Sequence, residues 1–251
     1  MAISERIIKS IIKNAGKRSG RRMFCSAVIA AAGSSERMSG DDKLFLEICG
    51  VPVLAHTLTA FQKCDMINEI IVVVREGSVQ RVTELCKQYG IDKAGTVMIG
   101  GQIRSESVLR GLLAVSDKAQ LIAIHDGARP CVTGDIISKA VAAAAKNHAA
   151  APAVNINSTV KRVKVGVVVE TVDRVDLAEI QTPQVFAAEL IKAALTDVVN
   201  KSIDVTDDCM AIELLGVPVY VTEGSSQNIK ITTVEDVRVA EAILKQSKVE
   251  S

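Results

Sequence analysis

The chain has 251 residues, with 30 Lys and Arg against 29 Asp and Glu, a formal net charge of +1. That balance gives no broad positive field for gripping nucleic acid or an anionic membrane, so an anion must be bound by a local cluster of cations. Hydrophobic residues make up 48% but aromatic ones only 2%, so the core is built from Val, Ile, Leu and Ala, a composition suited to buried parallel strands covered by helices.

The six cysteines are scattered without a C-x-x-C pair, and three histidines give no metal-ligand spacing. Reduced thiols and a cytoplasmic location are expected, not a zinc site. No apolar run reaches the roughly 20 residues needed to span a bilayer.

Residues 1–22 stand apart as a basic amphipathic extension. Ile3, Ile7, Ile8, Ile11 and Ile12 share one helical face, while Lys9, Lys13, Lys17, Arg18, Arg21 and Arg22 supply charge. A transit peptide, a membrane-surface helix and a helix packed on the body all share that pattern. Residues 23–251 read as a single domain.

Within that domain, β-branched runs alternate with helical stretches. Strands are predicted at Ser26–Ala31, Glu69–Val74, Thr96–Ile99, Leu121–His125 and Ala151–Val154, with helices near Val53–Cys64, Ser78–Tyr89, Ser105–Val115 and Asp135–Asn147. Such alternation predicts an α/β fold, a mostly parallel sheet flanked by helices. Ser158–Arg174 breaks the rhythm. It alternates polar and apolar residues around Val165-Gly166 and reads as a hairpin, an arm over 157–175 whose valine-rich edges want a partner subunit. Beyond it come helices near Ala187–Leu195 and Asp207–Leu215, short strands at Val217–Thr222 and Asn228–Thr232, and a closing helix from Val234.

The loop after the first strand, "AAAGSSERMSGDDK" (Ala30–Lys43), lies at the carboxyl edge of the sheet, where open α/β sheets bind ligands. Gly33, Ser34 and Ser35 can turn N–H groups toward an anion, and Arg37 and Lys43 bring charge. It is neither a Walker loop nor a G-x-G-x-x-G fingerprint. On these residues alone, a phosphate site and a solvated polar turn remain equally open.

"AAGSSERM…K" resembles the signature loop of nucleotidyltransferases that activate phosphates with a nucleoside triphosphate. "HDGARP" (His125–Pro130), "TVDR" (Thr171–Arg174), "QTPQVF" (Gln181–Phe186) and "NIKIT" (Asn228–Thr232) follow in the order found in the 2-C-methyl-D-erythritol 4-phosphate cytidylyltransferase family. The resemblance runs from about Cys25 to the final helix. It implies a Rossmann-like nucleotidyltransferase fold, a homodimer formed through the β-hairpin arm, and transfer of CMP from CTP to a polyol phosphate.

The resemblance also implies roles for individual residues. Arg37 and Lys43 contact the triphosphate. Ala31, Ala32 and Gly33 on one side, and Gly101, Gln102 and Ser107 on the other, hold the cytidine. Asp126 coordinates Mg²⁺, although an aspartate there also suits a helix cap or an ion pair with Arg129. Lys230 reaches the substrate phosphate, with Thr182 and Thr206 as hydroxyl donors and Arg129 among the substrate contacts. Thr159 and Arg174 complete that pocket from a neighbouring subunit. The chemistry leaves His125 without a task, so it reads as structural, and Arg104 and Glu106 read as surface ion-pair residues.

The chain departs from the family's pattern at Asp42-Lys43-Leu44, where Lys-Gln is common, at Gly127 and at Ala178. Ribitol-5-phosphate cytidylyltransferases share most of these motifs, and molybdopterin-type nucleotidyltransferases share the first loop. A non-catalytic nucleotide-binding protein on the same fold is the alternative from another class.

Overall fold

The computed structural model describes residues 23–33 and 43–249. The basic extension, Ser34, Ser35, Arg37, Asp41 and Asp42 lie outside the described residues.

Twelve strands and seven helices are described, in the order β1 (Cys25–Ala31), β2 (Glu47–Ile48), β3 (Val51–Pro52), α1 (Val53–Lys63), β4 (Glu69–Val74), α2 (Val79–Gln88), β5 (Thr96–Ile99), α3 (Arg104–Ala114) and β6 (Leu121–Asp126). Then follow α4 (Gly134–Asn147), β7 (Ala149–Asn155), β8 (Val160–Lys164), β9 (Val167–Val172), β10 (Ala178–Ile180), β11 (Gln184–Ala187), α5 (Ala188–Asn200), α6 (Asp208–Glu213), β12 (Tyr220–Glu223) and α7 (Val234–Val249).

The main sheet runs β10-β7-β11-β6-β1-β4-β5, with β12 also paired to β7. β1 is parallel to both β4 and β6, and β4 to β5. β11 returns antiparallel against β6 and β7. β10 is antiparallel to β7 in turn, so this is the expected mostly parallel α/β sheet with two antiparallel strands, β10 and β11.

Helices cover both faces, which is why the central strands are apolar at most positions, the exceptions being Ser26, Glu69, His125 and Asp126. Strand alternation sends Ala27 and Ile29 of β1, Ile70 and Val72 of β4, and Leu121 and Ala123 of β6 into one core with Leu54, Leu58, Phe61 and Ile137. The intervening Val28, Ile71, Val73, Ile122 and Ile124 enter a second core with Leu112, Ile191 and Leu195. Helix α3 packs very close to the sheet at Gly111, where a Cβ would stand 2.5 Å from Val28 Cγ1 and 2.8 Å from Val73 Cγ2.

Three expectations are corrected. Asn228–Thr232 is not a strand but a loop. Its backbone is drawn off the sheet because Ile231 N–H donates to Ala128 O (2.8 Å) and the Asn228 side-chain amide donates to Thr182 O (3.0 Å). The segment before α5 contains β10 and β11, which were not foreseen, and α5 itself continues to Asn200.

The hairpin forms as expected. β8 and β9 pair only with each other, joined through Val165 at φ 47° and Gly166 at φ 77°. Two left-handed residues are what a two-residue hairpin turn requires.

Candidate active site

The carboxyl ends of β1, β4 and β6 open into a cavity of about 480 Å³. It gathers Ala31, Ala32, Gly33 and Lys43 from the first loop, Gly101, Gln102 and Ser107 from the loop into α3, Asp126 from the end of β6 and Lys230 from the loop after β12. These nine expected site residues therefore share one space, although they come from segments distant in sequence. Arg75 and Arg104 line it too. Among the described lining residues, Lys43, Arg75, Arg104 and Lys230 are the cations and Asp126 the one carboxylate, with Lys230 and Arg104 within ion-pair distance of it.

Asp126 pairs in register with Ala30 of β1, which places its side chain beside the first loop. Its Oδ2 lies 3.0 Å from Lys230 Nζ and 3.5 Å from Arg129 Nε, while Oδ1 has Arg104 Nη2 at 3.7 Å. Burial works against the carboxylate's charge, but Lys230, Arg104 and Arg129 hold its pKa well below the usual carboxylate range. The group stays anionic throughout the physiological range.

Among the described residues, no three or more His, Cys, Asp or Glu gather as a metal site. A lone carboxylate nonetheless fits a divalent ion that arrives on a nucleotide, since Mg²⁺ is commonly held by one or two carboxylates plus substrate phosphates. Asp126 Oδ1, outside hydrogen-bonding distance of Arg104, is the oxygen suited to it.

The opposite wall is built by the start of α3. Gly101 N–H donates to Ser107 Oγ (3.0 Å), Ser107 Oγ donates to Ile103 O (3.0 Å), and Gln102 N–H donates to Glu106 Oε2 (2.8 Å). Glu106 is therefore a loop tie, and Ser107 closes the turn as well as lining the cavity. Gly100 is required here, because a Cβ would fall 2.7 Å from both Ala32 Cβ and Ser107 Oγ.

Several residues stand elsewhere than the sequence suggests. Arg104 is no surface pair: its Nη2 donates to the buried Asp208 Oδ2 at 2.8 Å. Burial opposes its charge, and Asp208 and Asp126 more than restore it. Arg129 is buried and donates to Asn228 O (2.6 Å), which anchors the loop carrying Lys230. The Thr182 hydroxyl is also turned inward, to His125 Nδ1 (2.9 Å) and Asp126 N–H (3.2 Å). Arg129 and Thr182 thus shape the site from behind and do not line the cavity.

His125 is structural, as expected. It is fully buried against Phe61, with ring centroids 4.8 Å apart, and burial pushes its pKa down to about 3, so it is neutral. Thr206 is exposed and outside the cavity lining. Thr159 and Arg174 belong to the arm, where Arg174 donates to Asn157 O of its own chain. Arg75 and Arg104 were missed as cavity residues. Arg75 was detectable from its place just after β4, whereas Arg104 was hidden because its partner Asp208 is far along the chain.

Two solved structures share this architecture. A 4-diphosphocytidyl-2C-methyl-D-erythritol synthase from Anaerococcus prevotii aligns with TM-score 0.79 and 32% identity over 89% of this chain and 97% of that one. The 2-C-methyl-D-erythritol 4-phosphate cytidylyltransferase of Thermus thermophilus aligns with TM-score 0.76 and 30% identity over 89% of this chain and 100% of that one. The fold is that of a nucleotidyltransferase. In sequence, the family profile described as IspD, 2-C-methyl-D-erythritol 4-phosphate cytidylyltransferase, matches residues 25–246. A relative bearing that name in Halalkalibacterium halodurans is 44% identical over 227 residues, covering 90% of this chain and 99% of the relative. One in Dehalococcoides mccartyi is 41% identical, covering 88% and 96%. The chain belongs to the 2-C-methyl-D-erythritol 4-phosphate cytidylyltransferase family.

Proposed function

We propose that the protein transfers CMP from CTP to 2-C-methyl-D-erythritol 4-phosphate, giving 4-diphosphocytidyl-2-C-methyl-D-erythritol and pyrophosphate. A phosphate oxygen of the polyol attacks the α-phosphorus, a new P–O bond forms, and the bond to the β-phosphate oxygen breaks. The nucleophile is already an anion, so no general base is needed. Catalysis consists of positioning and of neutralising charge at the α-phosphoryl group.

The observation that carries this reading is the cavity at the carboxyl edge of the sheet, lined by four cations and the buried Asp126. Lys43, with Arg37 from the residues outside the described set, meets the triphosphate. The backbone of Ala31–Gly33 and of Gly101–Gln102 encloses the base, and Lys230 meets the polyol phosphate. Asp126 would hold a divalent cation, Mg²⁺ in our reading, which when bound neutralises phosphate charge.

The arm supports a homodimer. Val163, Val167, Val168 and Val169 are exposed on it, and Val165 is a fully exposed β-branched residue in the left-handed region. A partner subunit would cover that surface and bring Thr159 and Arg174 to the substrate pocket, with Thr206 contributing from its own chain. Residues 1–22 are taken as an extension outside the 23–251 catalytic domain. All six cysteines are free, which fits a cytoplasmic enzyme, and among the described residues no helix is long and apolar enough to cross a membrane.

The test is pyrophosphate release with Mg²⁺, CTP and either methylerythritol 4-phosphate or ribitol 5-phosphate. Release with the first and not the second is expected; release with neither overturns the reading.

A further inference from the structure

Arg104 and Asp208 are not needed by the reaction as derived above, yet they form a close ion pair just behind the cavity wall. The Arg104 guanidinium lies between two carboxylates, 2.8 Å from Asp208 Oδ2 and 3.7 Å from Asp126 Oδ1. Asp208 is fully buried and its Oδ1 has no hydrogen-bond partner, so its charge has Arg104 as its close counterion.

Asp208 is also fastened in place. Gln184 Oε1 accepts from the N–H groups of Asp208 (3.0 Å) and Cys209 (3.1 Å), while Gln184 Nε2 donates to Asp207 Oδ2 (2.7 Å). Asp207 Oδ1 accepts from Met210 N–H (2.9 Å). With Asp207 so engaged, Asp208 and Asp126 are the carboxylates within ion-pair distance of Arg104 among the described residues. A guanidinium bound to a fixed carboxylate keeps its direction because its donors form a rigid planar fork.

We propose that Asp208 is a positioning residue that draws Arg104 away from Asp126 and so leaves Asp126 Oδ1 available to the divalent ion accompanying CTP. Without the Asp208 charge, Asp126 is the nearest remaining carboxylate, and closing 3.7 Å to hydrogen-bonding distance takes less than an ångström of movement. Arg104 would then occupy the oxygen that the ion needs. The inference rests on the reading of Asp126 as the ion's ligand.

The test is the dissociation constant of CTP, measured calorimetrically without polyol phosphate, in Mn²⁺ and in EDTA. The ratio of the two constants isolates the ion's contribution from the direct pull of Arg104 on the triphosphate. In Asp208→Asn that ratio should fall about tenfold, and in Arg104→Gln/Asp208→Asn it should return to within about threefold of the unmodified protein. Folding of each variant is checked by its unfolding transition. Should Asp208→Asn fail to fold, Arg104→Gln alone carries the test: the ratio should equal or exceed that of the unmodified protein, and a lower ratio overturns the proposal.

A ratio unchanged in Asp208→Asn but reduced in Asp126→Asn overturns the positioning role alone, as does a double variant no better than Asp208→Asn. A ratio that Asp126→Asn leaves unchanged overturns the reading of Asp126 and this proposal with it.

Discussion

Lys230 Nζ stands 3.0 Å from Asp126 Oδ2, joining the loop after β12 to the end of β6 across the mouth of the cavity. The lysine is only partly buried while the aspartate is almost wholly so. Lys230 therefore has one side toward Asp126 and the other toward solvent, where the proposed function brings the polyol phosphate. Lys230→Met should lower kcat about 10²- to 10³-fold, the usual cost of removing one preorganised electrostatic donor. Steady-state pyrophosphate release measures it, and near-normal turnover would remove Lys230 from the mechanism.

Lys43 lies at the opposite lip, half-buried beside the base-binding backbone. Lys43→Ala should keep the unfolding transition of the unmodified protein and lose about 10²- to 10³-fold in pyrophosphate release. A variant that unfolds early instead would make Lys43 a structural residue.

The first loop and the loop into α3 face each other at Ala32 and Gly100. Because a Cβ on Gly100 would meet Ala32 Cβ and Ser107 Oγ at 2.7 Å, Gly100→Ala must displace one wall of the slot. The expected result is a KM for CTP raised about tenfold, roughly 1.4 kcal/mol of binding, with a smaller change in kcat. An unchanged KM would mean that the base binds elsewhere.

His125 gives stability a pH dependence of known sign. Its pKa is lowered by burial from 6.5 to about 3, so between those values the unfolded chain takes up a proton that the folded protein refuses. Stability from this group is fully present above pH 6.5 and is lost as pH falls, at up to about 1.4 kcal/mol per pH unit. Asp126, also lowered, adds a loss of the same sign, but only below its unfolded value of 3.8. Urea unfolding between about pH 7 and pH 4 should show the decline, and His125→Gln, which keeps a partner for Thr182, should flatten it. An equal slope in the variant would rule out His125 as the source.

Val165 combines full exposure with a left-handed backbone, a conformation costing a β-branched residue about 1 to 3 kcal/mol. Val165→Asn should relieve that strain while removing apolar surface from the arm. Light scattering should then show weaker self-association together with unimpaired folding. Retention of a tight dimer would place the subunit contact away from the hairpin tip.

Much of the fold was legible because β1, β4 and β6 are buried on both faces and so read as short, largely apolar runs between amphipathic helices. β10 and β11 were not, because three- and four-residue strands carry too little periodicity and Gln184 breaks the apolar pattern to grip α6. "NIKIT" carries strand propensity, yet Arg129 and Ala128 claim its backbone, a tertiary effect that local sequence does not announce. The nine cavity residues named from motifs do converge, but the motifs could not separate residues that face the cavity from those behind it. Thr182 and Arg129 sit within the motifs and turn inward, whereas Arg104, read as a surface cation, turns toward the cavity because Asp208 pulls it there.

The packing of α3 at Gly111 has a further consequence for the choice of base. Val28 and Val73 press so near that no methyl group fits between helix and sheet, and the same helix carries the wall of the slot at its amino end. The jaw of that slot is therefore set about two helical turns away, inside the core. On the proposed function, exclusion of purines would be a dimension of the hydrophobic core, and Gly111→Ala should change nucleotide choice without altering any group that lines the slot.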